Sequence, residues 1–184
     1  MTHKSKTQTV MTALSVNLLI TGCLVAISAS NSLAAIISTN VNPSNGHTYH
    51  LIGGPSGEPI TWTEAEAQAI ALGGHLVTIN DAAENAWVTS TVTATNELWI
   101  GFTDQAVEGS FVWASGEPVT YTNWNGGEPN NDSPVGADYT ELYCGNNPQA
   151  PRWNDYPETA VLLGFVEVPV TCSKATSRRS VYDR

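Results

Sequence analysis

The feature that most constrains this sequence is a long stretch, residues 115–156, in which hydrophobic periodicity is weak. Gly, Pro, Asn and Asp dominate this stretch, and these residues favour turns and irregular backbone. A loop of this length inside a folded domain is uncommon and is normally either functional or disordered. The segments on either side of the loop must therefore supply the core, and the loop is the first place to search for a site.

The flanking segments predict a mixture of helices and short strands. Thr61 and Glu64 have the spacing of a capping box and predict a helix that runs to about Leu72. Asp81 predicts the start of a second helix in the same way. Runs of apolar residues bounded by turn formers predict strands at 47–52, 76–79, 98–102, 111–113 and 162–168. The sequence thus predicts an α+β domain over residues 47–168.

The two ends of the chain predict targeting and tail segments. Residues 1–34 combine Lys4 and Lys6 with an apolar run and a Ser-Leu-Ala sequence before Ala35, which is the pattern of a secretory signal peptide. A membrane anchor is an alternative that the polar interruptions disfavour, and a lipoprotein box ending at Cys23 is another. Residues 35–46 are predicted to be an irregular leader, and residues 169–184 a disordered basic tail. Export places the domain in a secreted, extracellular or periplasmic setting, where thiols are oxidised.

The charges of the predicted domain are strongly one-sided. Residues 47–168 contain 16 of the 17 acidic residues and a single basic residue, Arg152, which gives a net charge of −15. This balance excludes a nucleic-acid binder that relies on a basic face. A surplus of this size is either a solvated acidic surface or a binding surface for cations.

The long loop carries a dense set of side-chain oxygens. Glu128 and Asn130 flank Pro129, and Asn154 and Asp155 follow further along. Calcium takes six to eight oxygen ligands from carboxylates and carbonyls, and no Cys/His cluster points to a transition metal. The same residue types also form ordinary turns, so the loop by itself leaves both interpretations open.

Four motifs in this order resemble the C-type lectin-like domain family. They are the helix and strand at 62–79, the Trp99-Ile100-Gly101 strand, Glu128-Pro129-Asn130, which is similar to the family's EPN motif, and Trp153-Asn154-Asp155, which is similar to its WND motif. The resemblance covers residues 47–168. It implies an α+β fold with two helices, small antiparallel sheets and a long calcium-binding loop.

The resemblance also implies a set of calcium ligands. In the family, the EPN and WND residues bind one calcium ion and a sugar diol, which implies both roles for Glu128, Asn130, Asn154 and Asp155. A second calcium site is implied for Asp104, Glu108, Asn131 and Asp138.

Three departures from the family pattern bear on this expectation. Ala137 stands where the family usually has a Glu that reaches both calcium ions, and Asp132 or Asp138 is expected to substitute for it. Fewer carboxylates imply weaker calcium binding, toward the ~10⁻⁴–10⁻³ M range of extracellular modules. The positions where the family usually has Cys are occupied by Ala69, Tyr139 and Val166, so packing alone is expected to hold the fold. The exported chain keeps two Cys, Cys144 and Cys172, and these match no Cys pair of the family.

These observations predict a secreted, calcium-dependent lectin that does not catalyse a reaction. An EPN-like motif, as opposed to a QPD-like one, implies preference for mannose-type saccharides, with cell-surface or matrix glycoconjugates as partners. A lectin-like adhesion or protein-binding domain with structural or no calcium is the alternative that Ala137 favours. A glycan hydrolase with paired carboxylates is a third hypothesis, although nothing singles out two of the acids.

Overall fold

A computed structural model of the chain describes residues 33–170. The predicted signal peptide, except for its last two residues, and the predicted tail beyond residue 170 lie outside the described residues. Within residues 33–170, no helix is long and apolar enough to cross a membrane.

Two ten-residue helices form where local capping signals predicted them. Helix α1 spans Trp62–Ala71 and helix α2 spans Ala82–Thr91. The capping box at Thr61 is confirmed: the Glu64 amide donates to Thr61 Oγ1 at 3.3 Å, and the Thr61 amide donates to Glu64 Oε2 at 3.0 Å. Asp81 caps α2 by accepting from the Glu84 amide at 2.8 Å. Each cap satisfies an amide that the first helical turn leaves unpaired.

Eight strands join into a single mixed sheet. Its main path runs β1-β2-β8-β4-β6-β7, with β3 paired to β8 and β5 paired to β4. The expectation of separate small antiparallel sheets is therefore corrected, because β8 inserts between β2 and β4 and runs parallel to β4. The strands are β1 Ala35–Val41, β2 Thr48–Gly53, β3 His75–Leu76, β4 Glu97–Thr103, β5 Val112–Trp113, β6 Tyr139–Tyr143, β7 Trp153–Tyr156 and β8 Leu163–Val168.

The predicted irregular leader is wrong over most of its length. Residues 35–41 form strand β1, which pairs antiparallel with β2 at the edge of the sheet. An edge strand needs no buried face, so its exposed side chains do not alternate between apolar and polar residues, which is the pattern that predicts a strand. The turn formers at 42–46 close this hairpin, where the Gly46 amide donates to the Asn42 carbonyl at 2.8 Å.

The three positions where the family usually has Cys lie in the hydrophobic core. Ala69, Tyr139 and Val166 are all fully buried in one hydrophobic cluster, and the Tyr139 ring stacks on Trp62 with centroids 4.7 Å apart. Trp62 Nε1 donates to the Ile100 carbonyl at 2.8 Å, which ties α1 to β4. Aromatic stacking and this buried hydrogen bond thus connect α1 to β6 and to β4.

Candidate functional site

The irregular loop is shorter than the sequence predicted, because β6 and β7 lie within residues 115–156. All five residues of β6 are buried, so this strand shows no alternation of apolar and polar residues. The irregular part spans residues 114–138, and backbone hydrogen bonds join it to β7. The Asn125 amide donates to the Trp153 carbonyl at 2.8 Å, and the Trp153 amide donates to the Asn123 carbonyl at 3.0 Å. These bonds bring the EPN-like residues beside the WND-like strand.

Asp155 anchors the loop to β7. Its Oδ2 accepts from the Asn131 amide at 2.6 Å and from the Asn130 amide at 3.1 Å. Bonds from backbone amides to a carboxylate are among the stronger hydrogen bonds in proteins. Asn131 adopts a positive φ of 51°, which Asn tolerates better than most residues. The Glu128–Pro129 peptide is cis.

Glu128 faces Asp155 across the site. Its Oε2 is buried and has no hydrogen-bond partner in the described part of the chain. Burial raises the pKa of Glu128, and the neighbouring carboxylates of Asp155 and Asp132 raise it further. Two carboxylates that face each other with one unsatisfied oxygen are an arrangement that a cation stabilises.

Asn130 and Asn154 complete this group of four. Asn130 Oδ1 accepts from the Asp132 amide at 2.7 Å, and Asn154 Nδ2 donates to Glu141 Oε1 at 2.9 Å. A cavity of about 330 Å³ is lined by all four predicted ligands of the first site, Glu128, Asn130, Asn154 and Asp155.

The four side chains suit calcium by their chemistry. No group of three His, Cys, Asp or Glu side chains suited to a metal occurs within residues 33–170. The first site instead combines two carboxylates with two Asn amides, and all of its candidate ligand atoms are oxygens. Such a donor set fits a hard cation such as calcium.

The second implied calcium site also contains a buried carboxylate, that of Asp104. Asp104 is 3% exposed, and its Oδ2 accepts from the Gly109 amide at 2.7 Å. Glu108 and Asp138 are close enough to raise the pKa of Asp104, after burial as the main cause. Asn131 Oδ1 is already used, because it accepts from the Ala137 amide at 2.8 Å. Asp104 Oδ1, like Glu128 Oε2 in the first site, is buried and has no hydrogen-bond partner within residues 33–170. Internal hydrogen bonds occupy other oxygens in both sites, such as Asn131 Oδ1 here and Asn130 Oδ1 in the first site.

Some of the residues at the departures from the family pattern line the first site. Ala137 and Asp132 both line the cavity, so Asp132 is in a position to provide a carboxylate there. Cys144 is a buried free thiol whose Sγ donates to the Thr95 carbonyl at 3.4 Å. Burial raises the pKa of Cys144 to about 12. Cys172 lies outside the described residues.

Sequence reasoning missed two residues of this region. Glu141 is 2% exposed and contacts Asn154 directly, and Tyr143 lines the cavity. Both lie on β6, a strand that sequence patterning did not detect. Their position beside the site follows from the antiparallel pairing of β6 with β7, in which Glu141 is opposite Asn154.

The comparisons with known proteins identify the class to which this fold and site belong. The family model described as Lectin C-type domain matches residues 58–163, more than half of the chain. The chain therefore belongs to the C-type lectin domain family.

Two similar relatives are lectins or receptors of animals. C-type mannose receptor 2 of Homo sapiens is 33% identical over 134 residues, which is 72% of this chain and 8% of the receptor. Lectin BRA-3 of Megabalanus rosa is 37% identical over 89 residues, which is 47% of this chain and 52% of that lectin. The chain thus spans about a twelfth of the receptor and about half of the barnacle lectin.

Solved structures agree with the fold. The carbohydrate-recognition domain of the human scavenger receptor C-type lectin has a TM-score of 0.61 and 26% identity, and the match covers 73% of this chain and 98% of that domain. A calcium-independent type II antifreeze protein has a TM-score of 0.60 and 22% identity, with 73% of this chain and 96% of that protein covered. The second likeness concerns the fold alone.

Proposed function

We propose that this domain is a secreted, calcium-dependent carbohydrate-binding module that prefers mannose-type saccharides and performs no catalysis. The observation that carries the proposal is the buried Oε2 of Glu128, which has no hydrogen-bond partner within residues 33–170 and lies beside the Asp155 carboxylate. A cation between the two would satisfy that oxygen and offset the repulsion. Membership of the C-type lectin family supports sugar binding. The likeness to a receptor whose name specifies mannose supports the preference.

The four site residues have complementary hydrogen-bonding roles. Bound calcium supplies a centre to which two neighbouring sugar hydroxyls coordinate. Glu128 would accept a hydrogen bond from a sugar hydroxyl, while the amides of Asn130 and Asn154 would donate hydrogen bonds to hydroxyl oxygens. Asp155 holds the loop in place through two backbone amides and contributes negative charge.

The order of these groups explains the proposed sugar preference. With an acceptor at Glu128 and a donor at Asn130, the site suits the equatorial 3- and 4-hydroxyls of mannose. The axial 4-hydroxyl of galactose directs its proton elsewhere and leaves one buried polar group unpaired, at a cost of ~1–3 kcal/mol. That cost corresponds to roughly tenfold or more in affinity.

The experiment compares binding of the protein to mannose- and galactose-coated beads, with calcium and with chelator. The test variant Glu128→Gln/Asn130→Asp reverses donor and acceptor while it preserves shape. The matched control, Glu117→Gln/Asn80→Asp, makes the same exchange at a hydrogen-bonded pair outside the site, where Asn80 Nδ2 donates to Glu117 Oε2 at 3.0 Å.

The proposal predicts calcium-dependent retention on mannose beads for the unmodified protein and the control. It predicts a shift toward galactose for the test variant. Equal elution from both beads, or an unchanged preference in the test variant, would overturn the donor and acceptor account.

A lectin-like adhesion or protein-binding domain is the second candidate, and Ala137 favours it. This residue lines the cavity where a shared calcium-binding Glu is usual in the family, so the site has one carboxylate fewer. That candidate predicts no retention on either bead, and a melting temperature that chelator leaves unchanged if the domain holds no calcium at all.

Export of the domain is part of the same proposal. Ala35, the residue after the proposed cleavage site, is the first residue of β1, and its amide donates to the Gly54 carbonyl at 3.2 Å. Cleavage before Ala35 therefore leaves the edge strand intact. N-terminal sequencing of secreted material is expected to begin near Ala35, and a lipid on Cys23 or an intact Met1 would contradict it.

A further inference from the structure

Glu141 is a buried carboxylate that lies next to the first site without lining its cavity. It is 2% exposed, and its Oε2 makes no well-formed hydrogen bond among residues 33–170, although the Tyr143 hydroxyl lies close to the carboxylate. Burying a carboxylate that is only partly satisfied is unfavourable. An apolar side chain in this strand would avoid that cost, so the contact that Glu141 does make requires an explanation.

That contact is with one of the proposed calcium ligands. Glu141 and Asn154 are directly opposite each other in the β6–β7 pair, where side chains on one face approach closely. Glu141 Oε1 accepts from Asn154 Nδ2 at 2.9 Å. The register of two strands therefore fixes this pair.

The hydrogen bond determines which atom of the Asn154 amide is available to a cation. The Asn154 amide presents its NH₂ group to Glu141 Oε1 at 2.9 Å, and in alkaline solution, where Glu141 is ionised, the carboxylate can only accept this bond. Oδ1 is then the atom left for the ion, and one hydrogen of Nδ2 remains for a sugar hydroxyl. A rotated amide would offer NH₂ to the cation, which calcium does not accept as a ligand.

We propose that Glu141 is a positioning residue that orients the Asn154 amide so that its oxygen faces the calcium site. This inference rests on the calcium site proposed above and adds a residue that does not itself bind the ion. Residues that orient metal ligands in this way typically change metal affinity by 10- to 100-fold when they are replaced. Glu141→Leu is therefore expected to weaken calcium binding by about 10- to 100-fold.

Two further variants separate orientation from charge. Glu141→Gln removes the charge but keeps a carbonyl that accepts from Asn154 Nδ2. Glu97→Gln removes a nearby charge without touching Asn154, because Glu97 Oε1 accepts instead from Asn147 Nδ2 at 3.3 Å. Glu141→Gln and Glu97→Gln are expected to bind calcium with affinities within about threefold of each other, since both lose one charge.

A purely structural role for Glu141 makes a different prediction. If the carboxylate mainly holds β6 and β7 together, Glu141→Leu lowers the melting temperature in chelator. Under the proposal, this melting temperature stays the same or rises, because the change removes a buried oxygen that makes no well-formed hydrogen bond within residues 33–170.

The experiment measures calcium affinity by calorimetry on the full chain and records the side-chain NH₂ resonances of Asn154 by NMR in chelator. The proposal predicts that the two Asn154 resonances move in Glu141→Leu but stay in Glu141→Gln and Glu97→Gln. If Glu141→Leu does not fold, Glu141→Val replaces it, since Val favours a strand and has no atom that accepts a hydrogen bond from Asn154.

The outcomes distinguish this inference from the function on which it rests. Failure of the unmodified protein to bind calcium overturns the proposed function and with it the role of Glu141. In a second outcome, the unmodified protein binds calcium while Glu141→Leu and Glu97→Gln bind it with equal affinity. That result overturns only the role of Glu141 and leaves the proposed function standing. Unmoved Asn154 resonances in Glu141→Leu overturn it as well.

Discussion

Replacing Asn85 with Ala is expected to destabilise the domain by severing the contact between α2 and the WND-like strand. Asn85 is 2% exposed. Its Oδ1 accepts from Trp153 Nε1 at 2.8 Å, and its Nδ2 donates to the Pro151 carbonyl at 3.0 Å. The Pro151 carbonyl keeps a second donor, Asn123 Nδ2 at 2.7 Å, whereas no other contact replaces the bond from the fully buried Trp153.

The size of the expected destabilisation follows from the different fates of the two hydrogen-bond partners of Asn85. An unsatisfied buried donor at Trp153 costs ~1–3 kcal/mol, and a lost bond at a carbonyl that stays paired costs ~0.5–1.5 kcal/mol. Asn85→Ala should therefore lower the free energy of unfolding by about 1.5–4.5 kcal/mol.

Urea denaturation in chelator measures this change without a contribution from bound metal. Asn146→Ala, a truncation at an exposed Asn, is the matched control and is expected to change the free energy by less than ~0.5 kcal/mol. A loss below ~1 kcal/mol in Asn85→Ala, or a loss equal to that of the control, would refute the hydrogen-bond reasoning.

Three other outcomes are expected. Gly101→Ala should be severely destabilising in thermal melts, because its Cβ would lie 2.4 Å from the Leu76 carbonyl oxygen; a melting temperature within error of the unmodified protein would contradict the packing. Burial raises the pKa of Glu141 from 4.5 to about 7, so the folded state binds this proton more tightly, and calcium-free stability should fall as pH rises from 4.5 to 7. Glu141→Gln should reduce this dependence of stability on pH, and an equal dependence in the variant and the unmodified protein would contradict the raised pKa of Glu141. A reducing agent should leave the melting temperature of the protein unchanged, because Cys144 is a buried free thiol, whereas a large decrease would reveal a disulfide to Cys172.

Local signals in the sequence were sufficient for the helices, whereas the candidate calcium ligands came from the family resemblance and stay a prediction. The Thr61 capping box depends on residues three apart, and the EPN- and WND-like motifs are contiguous. Strand β1 was missed because an edge strand needs only backbone pairing with β2. Glu141 was missed because its role depends on lying opposite Asn154 in the β6–β7 register, which no short segment specifies. The buried link from Asn85 to Trp153 spans 68 positions of the chain and is equally invisible in the sequence.

A crystal structure of the protein grown with calcium and a mannose disaccharide tests the central claim most directly. The account predicts one ion at ~2.3–2.6 Å from side-chain oxygens of Glu128, Asn130, Asn154 and Asp155, with two neighbouring sugar hydroxyls completing its coordination. A sugar bound away from these four residues, or a cavity that contains neither ion nor sugar at saturating concentrations, would contradict it.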